Sequence, residues 1–545
     1  MTQSDLNLPE DVATLQSMVI ELKTKLDHQD GELKNLYEQL RLLRHNIYSS
    51  KSERYLPDDA YSQSSLFADV ESGAEAADEN VEKVEEISVP GHKRKKRGRK
   101  RLDSSLPRIE IEHDLSESEK KCGCGHIKSR IGSEKSEQLE IKPAQVWVIS
   151  NIRYKYACKH CEGVDRNEGE PSVQIAPPPP QLIPKSISSP SLLAHLFSGK
   201  FEDALPFYRQ EKQFARYGVR LSRGTMCNWA VKVSALCVDM MEHLRTHILS
   251  GPLIQVDETT VQVLHEPNRS ADTLSRMWVF LGGPPGKKAV YFHYSQTRSG
   301  TVASDFIGDY QGCVQSDGYS GYNFLDKREG VVHAGCWAHV RRKFYDVIKP
   351  LGKNRKGVGK ADKALLMIKD LYKIEREAKE KNLTPEELYE VRQKDSRPKV
   401  NEFYDWLESN ALQVAGSGSL SQAFSYALSQ KERLKKFLDN SVLSMDNNLA
   451  ENAIRPFVVG RKNWMFSDQP HGAEASAVLY SIIETAKANN LEPYHYLLYL
   501  FDKLPDTIWA DDDEELKKLL PYNVTANMLD DYKKEYFRKR GPNLD

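Results

Sequence analysis

No run of eighteen apolar residues occurs anywhere in this 545-residue chain, which excludes a helical membrane span. The start, MTQSDLNLPED, lacks the basic residues and apolar stretch of a signal peptide, so the cytosol is the expected compartment. Cysteines are scarce, eight in all, and in that compartment clustered ones read as metal ligands before disulfides. Net charge is almost absent too, at −1, but only as a sum. Residues 58 to 86 are strongly acidic and 92 to 101 strongly basic, so a neutral total conceals a local patch able to meet nucleic acid. The acidic tract is poor in aromatics, and 57 to 90 reads as disordered.

What is present divides into modules. Residues 12 to 43 carry a heptad, with Val12, Val19, Leu26, Leu33 and Leu40 at a, and Leu15, Leu22, Gln29, Leu36 and Leu43 at d. Strict a/d spacing is narrower than a core-facing stripe and predicts a self-associating coiled coil over 1 to 56. An amphipathic helix packed within its own chain is the plainer alternative. The basic run HKRKKRGRKR closes a 57 to 105 linker; Arg97 and Arg99, flanking a glycine, suit a minor groove, although general phosphate contact needs less.

Between 106 and 175, Cys122 and Cys124 precede Cys158 and Cys161, separated by a stretch that alternates like two strands. Two thiolate pairs across a hairpin predict a zinc ribbon, with His126 as a substitute ligand; four free thiols in a small β module are the alternative. After the stiff APPPPQLIP linker, 190 to 249 reads as helices. A helix ending near Tyr217, a turn at Gly218 and a helix starting at Ser222 have helix-turn-helix spacing within 176 to 250. Arg220, Arg223, Thr225, Asn228 and Lys232 would then face DNA; an ordinary helical hairpin is the rival reading.

From Gly251 short β runs appear at 253 to 264, 277 to 283, 289 to 295 and 313 to 318, with helices beginning near Thr301, Tyr319 and Cys336. This is an α/β core over 251 to 490. Asp257 lies late in the first strand and Asp317 at the end of the fourth, where α/β sheets form site crevices. SMDNNLAENAIRP reads as a helix ending at Pro456, with Leu449, Ala450, Ala453 and Ile454 on its apolar face and a single carboxylate, Glu451, among amides on the other. Asp446 is its expected N-cap. Three converging carboxylates repel unless cations neutralise them, and Mg²⁺ is the natural partner for oxygen ligands. Two such ions, with Mn²⁺ as a substitute, suit the cleaving and joining of phosphodiesters, and Arg455, Arg461 and Lys462 would hold the backbone. Cys336 and His339 form C-x-x-H, read as structural or DNA-positioning.

VDET, QSDGYSGY, HAGCWAHVRRKF, NNLAENAIRP and VGRKNW, in that order, resemble the motifs of the insertion sequence 66 transposases, within the DDE group. IYSSKSERY is similar to that family's N-terminal signature, KYACKHCE to its zinc module and LEPYHYLLYLF to its C-terminal segment, here 491 to 545. The first cysteine pair departs from the family pattern by being C-x-C. The resemblance implies a multidomain α+β protein whose α/β core is ribonuclease-H-like, a helical insertion at about 350 to 440 inside that core, and Asp257, Asp317 and Glu451 as catalytic and Mg²⁺-binding triad. It implies binding of double-stranded DNA, element ends and target alike, while homo-oligomers are expected from the coiled coil. Small accessory proteins encoded by the same element, and residence in the bacterial cytoplasm on the nucleoid, are expected as well. The rival functions are a DNA-binding regulator with an inactive core and a structure-selective nuclease.

Overall fold

The computed structural model describes scattered positions from 11 to 29, then residues 145–157, 173–175, 177–351, 359–414, 416, 418–510 and 513–540. Arg97, Arg99, Cys122, Cys124, Cys158 and Cys161 lie outside the described residues, as does most of the heptad. Every described position from Thr14 to Gln29 is helical, and the seam residue Leu22 is 60% exposed. The chain divides into Met1–Phe67 with Asn151–Asp545, and Ala68–Ser150; the described part of the latter, 145–150, is exposed and forms neither helix nor strand.

The expected hairpin between the cysteine pairs is not what forms among the described residues. Residues 145–154 are not strand, and β1 (Lys155–Ala157) pairs antiparallel with β2 (Val173–Ile175), a segment beyond the second cysteine pair. Alternation without a partner strand does not make a sheet.

Four helices follow as expected: α1 (Pro190–Phe201), α2 (Phe207–Arg216), α3 (Arg223–Leu236) and α4 (Val238–Leu249). Gly218 takes φ +77, a left-handed turn that glycine adopts without a side-chain penalty, and Ser222 caps α3 by accepting the Thr225 N–H at 3.2 Å.

A five-stranded sheet in the order β5-β4-β3-β6-β7 carries the centre, built from β3 (Leu253–Gln262), β4 (Leu274–Gly282), β5 (Ala289–Ser295), β6 (Gly312–Gln315) and β7 (Val331–Ala334). β3, β4 and β5 form an antiparallel meander, α5 (Gly300–Ile307) follows, and β6 then β7 add parallel to β3. Strand β7 is absent from the sequence reading. It has four residues, too few for periodicity to show, and it exists because β6 offers it a parallel edge. Met277, Trp278, Val279 and Phe280 are wholly buried, as a run covered on both faces must be. The outer edge of β5 is closed by α13 (Pro470–Ala488): Thr485 and Ser481 hydroxyls accept the Val290 and Phe292 N–H groups at 3.0 and 2.7 Å.

Between α6 (Trp337–Ile348) and α12 (Asn448–Trp464) the chain runs through α7 (Lys360–Glu380), α8 (Pro385–Val391), a π turn at Arg392–Ser396, α9 (Arg397–Ala411), α10 (Ser419–Ser429) and α11 (Lys431–Lys435). These helices have a core of their own, in which Trp337, Val340 and Phe344 of α6 meet Leu371, Phe403 and Phe424. Arg392 is its buried hub, paired with Glu375 at 2.6 Å and donating to the Phe437 carbonyl at 2.8 Å. Three helices end the chain: α14 (Pro493–Ala510), α15 (Asp513–Lys518) and α16 (Ala526–Arg540). Among the described residues no helix is long and apolar enough to cross a membrane.

Candidate carboxylate active site

Helix α12 does not stop at Pro456. It continues to Trp464, because the proline forfeits only its own N–H while Ile454, Phe457 and Val458 stay buried. Leu449, expected on the apolar face, is 44% exposed; Ala450, Ala453 and Ile454 make that face. Nor is Asp446 the cap. Asn447 occupies that position and spends its amide on the Val256 carbonyl at 2.9 Å, while Asp446 accepts the Asn448 N–H at 3.3 Å.

The helix start is instead anchored by buried amides. Gln255 on β3 and Gln315 on β6 are register partners, and Gln255 Nε2 donates to Gln315 Oε1 at 2.8 Å. Gln255 Oε1 accepts the Ala450 N–H at 3.2 Å, one of the donors that a helix start leaves unpaired. Gln315 Nε2 donates to the Ser444 carbonyl at 2.8 Å. These bonds lock sheet and helix together close to Asp257, Asp317 and Glu451.

Those three carboxylates share one environment. Burial pushes the Asp257 carboxyl well above its usual range, and the charges of Glu258, Glu451 and Asp317 push it further. Burial, then the Glu258 charge, brings Asp317 up to about 7. Glu451 also rises to about 7, through burial, against the pull of Arg342. Asp257 Oδ1 accepts the Glu258 N–H at 2.8 Å and Asp317 Oδ1 the Tyr319 N–H at 2.9 Å, which fixes both side chains. Buried Glu258 is compensated separately, by Arg298 Nε at 2.7 Å and by the Tyr322 hydroxyl.

Cys336 and His339 meet Glu451. The Cys336 thiol, a His339 ring nitrogen and a Glu451 oxygen lie within 4.8 Å of one another. His339 Nδ1 and Glu451 Oε1 face each other at 3.5 Å, both buried and neither hydrogen-bonded, so two ligand atoms are left unspent. Burial holds the imidazole neutral, with its pKa down at about 3. Unspent oxygen and nitrogen donors beside mutually repelling carboxylates fit a divalent cation.

The expected DNA contacts separate. Arg223, Asn228 and Arg220 are exposed on and before α3, Lys232 is on the same helix, and Lys462 lies on α12. Arg455 is half-buried on the Glu451 helix. Arg461 is turned inward: its guanidinium donates to the Thr259 hydroxyl at 3.2 Å, the Thr260 hydroxyl at 2.7 Å and the Thr260 carbonyl, so it clamps β3. Burial lowers it to about 10. Sequence reasoning overlooked Arg342, which approaches Glu451 Oε2 at 3.5 Å. Its position three residues after His339, on the same helix face, was the available signal.

Comparison with known proteins agrees along most of the chain. The model of the Transposase IS66 family matches residues 185–475, the zinc-finger binding domain of transposase IS66 matches 119–162, the Transposase C of IS166 homeodomain matches 35–111, and the IS66 C-terminal element matches 481–522. The zinc-finger match encloses all four cysteines of the two pairs. Among relatives, the uncharacterized protein y4jD of Sinorhizobium fredii is 29% identical over 534 residues, covering 96% of this chain and 98% of its own. The uncharacterized protein y4qI of the same organism is 28% identical over 533 residues, covering 95% and 94%.

Proposed function

The chain belongs to the IS66 transposase family, and from that premise we propose that it binds the ends of its insertion sequence and catalyses divalent-cation-dependent cleavage and strand transfer of DNA. The observation that carries this reading is the electrostatic coupling of three buried carboxylates from β3, the loop after β6 and α12: Glu451 and Asp317 raise the proton affinity of Asp257, and Glu451 raises that of Asp317. A fold does not bury three repelling carboxylates without a cationic partner in view. The sheet order β5-β4-β3-β6-β7, with a three-stranded meander followed by two parallel strands, supports the ribonuclease-H-like assignment of the core.

Asp257, Asp317 and Glu451 would hold the cations, with His339 and Cys336 beside the last of them. Bound there, such ions would activate an attacking oxygen and stabilise a leaving one. The chain's own residues do the positioning. The buried Gln255–Gln315 pair keeps Glu451 in register with the two aspartates. Arg455, Lys462 and the exposed Arg341 and Lys343 of α6 give the rim a positive charge for the phosphate backbone. Overall, water displaces a 3′ oxygen at the element end, and that freed hydroxyl then attacks a target phosphodiester, one P–O bond forming as another breaks. The α2–α3 pair, the basic run and the zinc-finger module would select the ends, and the heptad would bring copies together.

Asp257→Ala, Asp317→Ala and Glu451→Ala test this. Labelled DNA carrying the sequences that flank the reading frame should still shift in a gel, while cleaved and joined products disappear. Products persisting at wild-type rate in any of the three would remove that residue from the site.

A further inference from the structure

The loop that carries Asp317 is held from two sides by the helices inserted between α6 and α12. On one side the Gly318 N–H donates to the Tyr426 hydroxyl of α10 at 3.1 Å, across 108 residues of sequence. The approach is so close that a Cβ at Gly318 would stand 2.5 Å from the Tyr426 ring. Lys343 lies over the same ring at 5.7 Å. On the other side a chain of side chains runs inward from α11. Arg433 donates from Nε to Asp326 Oδ1 at 3.1 Å and from Nη2 to its other oxygen. Asp326 Oδ1 faces His333 Nδ1 at 2.8 Å, and His333 Nε2 faces the fully buried Ser316 hydroxyl at 2.9 Å. That hydroxyl also lies 3.0 Å from the Asp317 carbonyl. Because a carboxylate only accepts, His333 donates to Asp326 from Nδ1, which leaves Nε2 to receive Ser316.

These two chains of contacts have no need to exist for the insertion to pack. Its apolar core already joins it to α6 and to Cys313 and Ala334 of the sheet. What they add is a fix on the backbone at Ser316 and Gly318, the residues on either side of Asp317.

We propose that Tyr426 and Arg433 are positioning residues that set the Asp317 carboxylate for cation binding, so that the helical insertion controls whether the carboxylate site forms. This rests on the reading of Asp257, Asp317 and Glu451 as cation ligands. Groups that hold a ligand in place without touching the ion typically contribute about 10- to 100-fold in metal affinity.

The test is a Mn²⁺ titration of the full-length protein, free of DNA, followed by the electron paramagnetic resonance signal of unbound Mn²⁺. Tyr426→Phe keeps the ring and its packing and removes only the hydroxyl; Arg433→Met keeps the stem and removes the guanidinium. Asp317→Ala is the control for the site itself, and circular dichroism melts report folding separately. Tight Mn²⁺ binding should vanish in Asp317→Ala and weaken about tenfold in Tyr426→Phe and Arg433→Met with melting unchanged. If Arg433→Met fails to fold, Tyr426→Phe decides alone. Wild-type affinity in a folded Tyr426→Phe, with binding lost in Asp317→Ala, overturns the positioning role and leaves the carboxylate site standing. Wild-type affinity in Asp317→Ala overturns the carboxylate reading, and the positioning role with it.

Discussion

Glu451→Gln should make the cation-free protein more stable at pH 8 than the wild type, while ending its response to divalent cations. The Glu451 carboxyl rises from 4.5 to about 7 in the folded chain. At about 1.4 kcal/mol per pH unit, keeping it ionised above that pH costs roughly 3 kcal/mol. Its sign follows from proton counting. Between pH 4.5 and about 7 the folded state holds a proton that the unfolded chain has released, so stability falls as pH rises through that window. The amide that replaces the carboxyl in the variant has no proton to lose. The stability difference between variant and wild type should therefore grow by up to about 3 kcal/mol from pH 4.5 to pH 8. Arg342, with its guanidinium 3.5 Å away, favours the ionised carboxylate and already holds the rise to this size. A cation at 100 times its dissociation constant should return about 2.7 kcal/mol to the wild type and nothing to the variant. Thermal unfolding at both pH values, with and without Mn²⁺, reads all of this. Parallel pH profiles for the two proteins, or equal Mn²⁺ stabilisation, would refute the argument that Glu451 is a buried charge awaiting a cation.

Three other outcomes follow from the same structure. Gln255→Leu should destabilise the protein by about 1–3 kcal/mol, because the Ala450 N–H and the Gln315 amide lose a buried partner, and it should weaken Mn²⁺ binding by misplacing Glu451; guanidinium unfolding and the Mn²⁺ titration check the two effects. Zinc measured by elemental analysis should approach one ion per chain and fall toward none when Cys158 and Cys161 become Ser; unchanged zinc would direct attention to Cys336 and His339 instead. A fragment of residues 1 to 50 should be helical and oligomeric by sedimentation, and Leu22→Lys with Leu36→Lys should leave it monomeric, since the heptad seam then carries buried charge.

The sequence by itself assigned the three carboxylates to their elements, because those signals are local. Asp257 in a strand, Asp317 at a strand end and Glu451 on a helix were legible from periodicity a few residues long, and so were the helix ending near Tyr217, the Gly218 turn and the helix start at Ser222. Tertiary structure decided what those residues meet. Pro456 reads as a stop, yet α12 passes through it because burial of Phe457 and Val458 outweighs one missing hydrogen bond. Arg461 reads as a phosphate contact by charge, but its place on the helix aims it at the Thr260 carbonyl. Strand β7 became a strand only because β6 lay beside it. No local pattern relates Gly318 to Tyr426, or Gln255 to Ala450 across 195 residues. Propensity and periodicity act within a turn or a strand, whereas the partners that buried amides, hydroxyls and carboxylates require are supplied by whichever distant segment the packed core delivers.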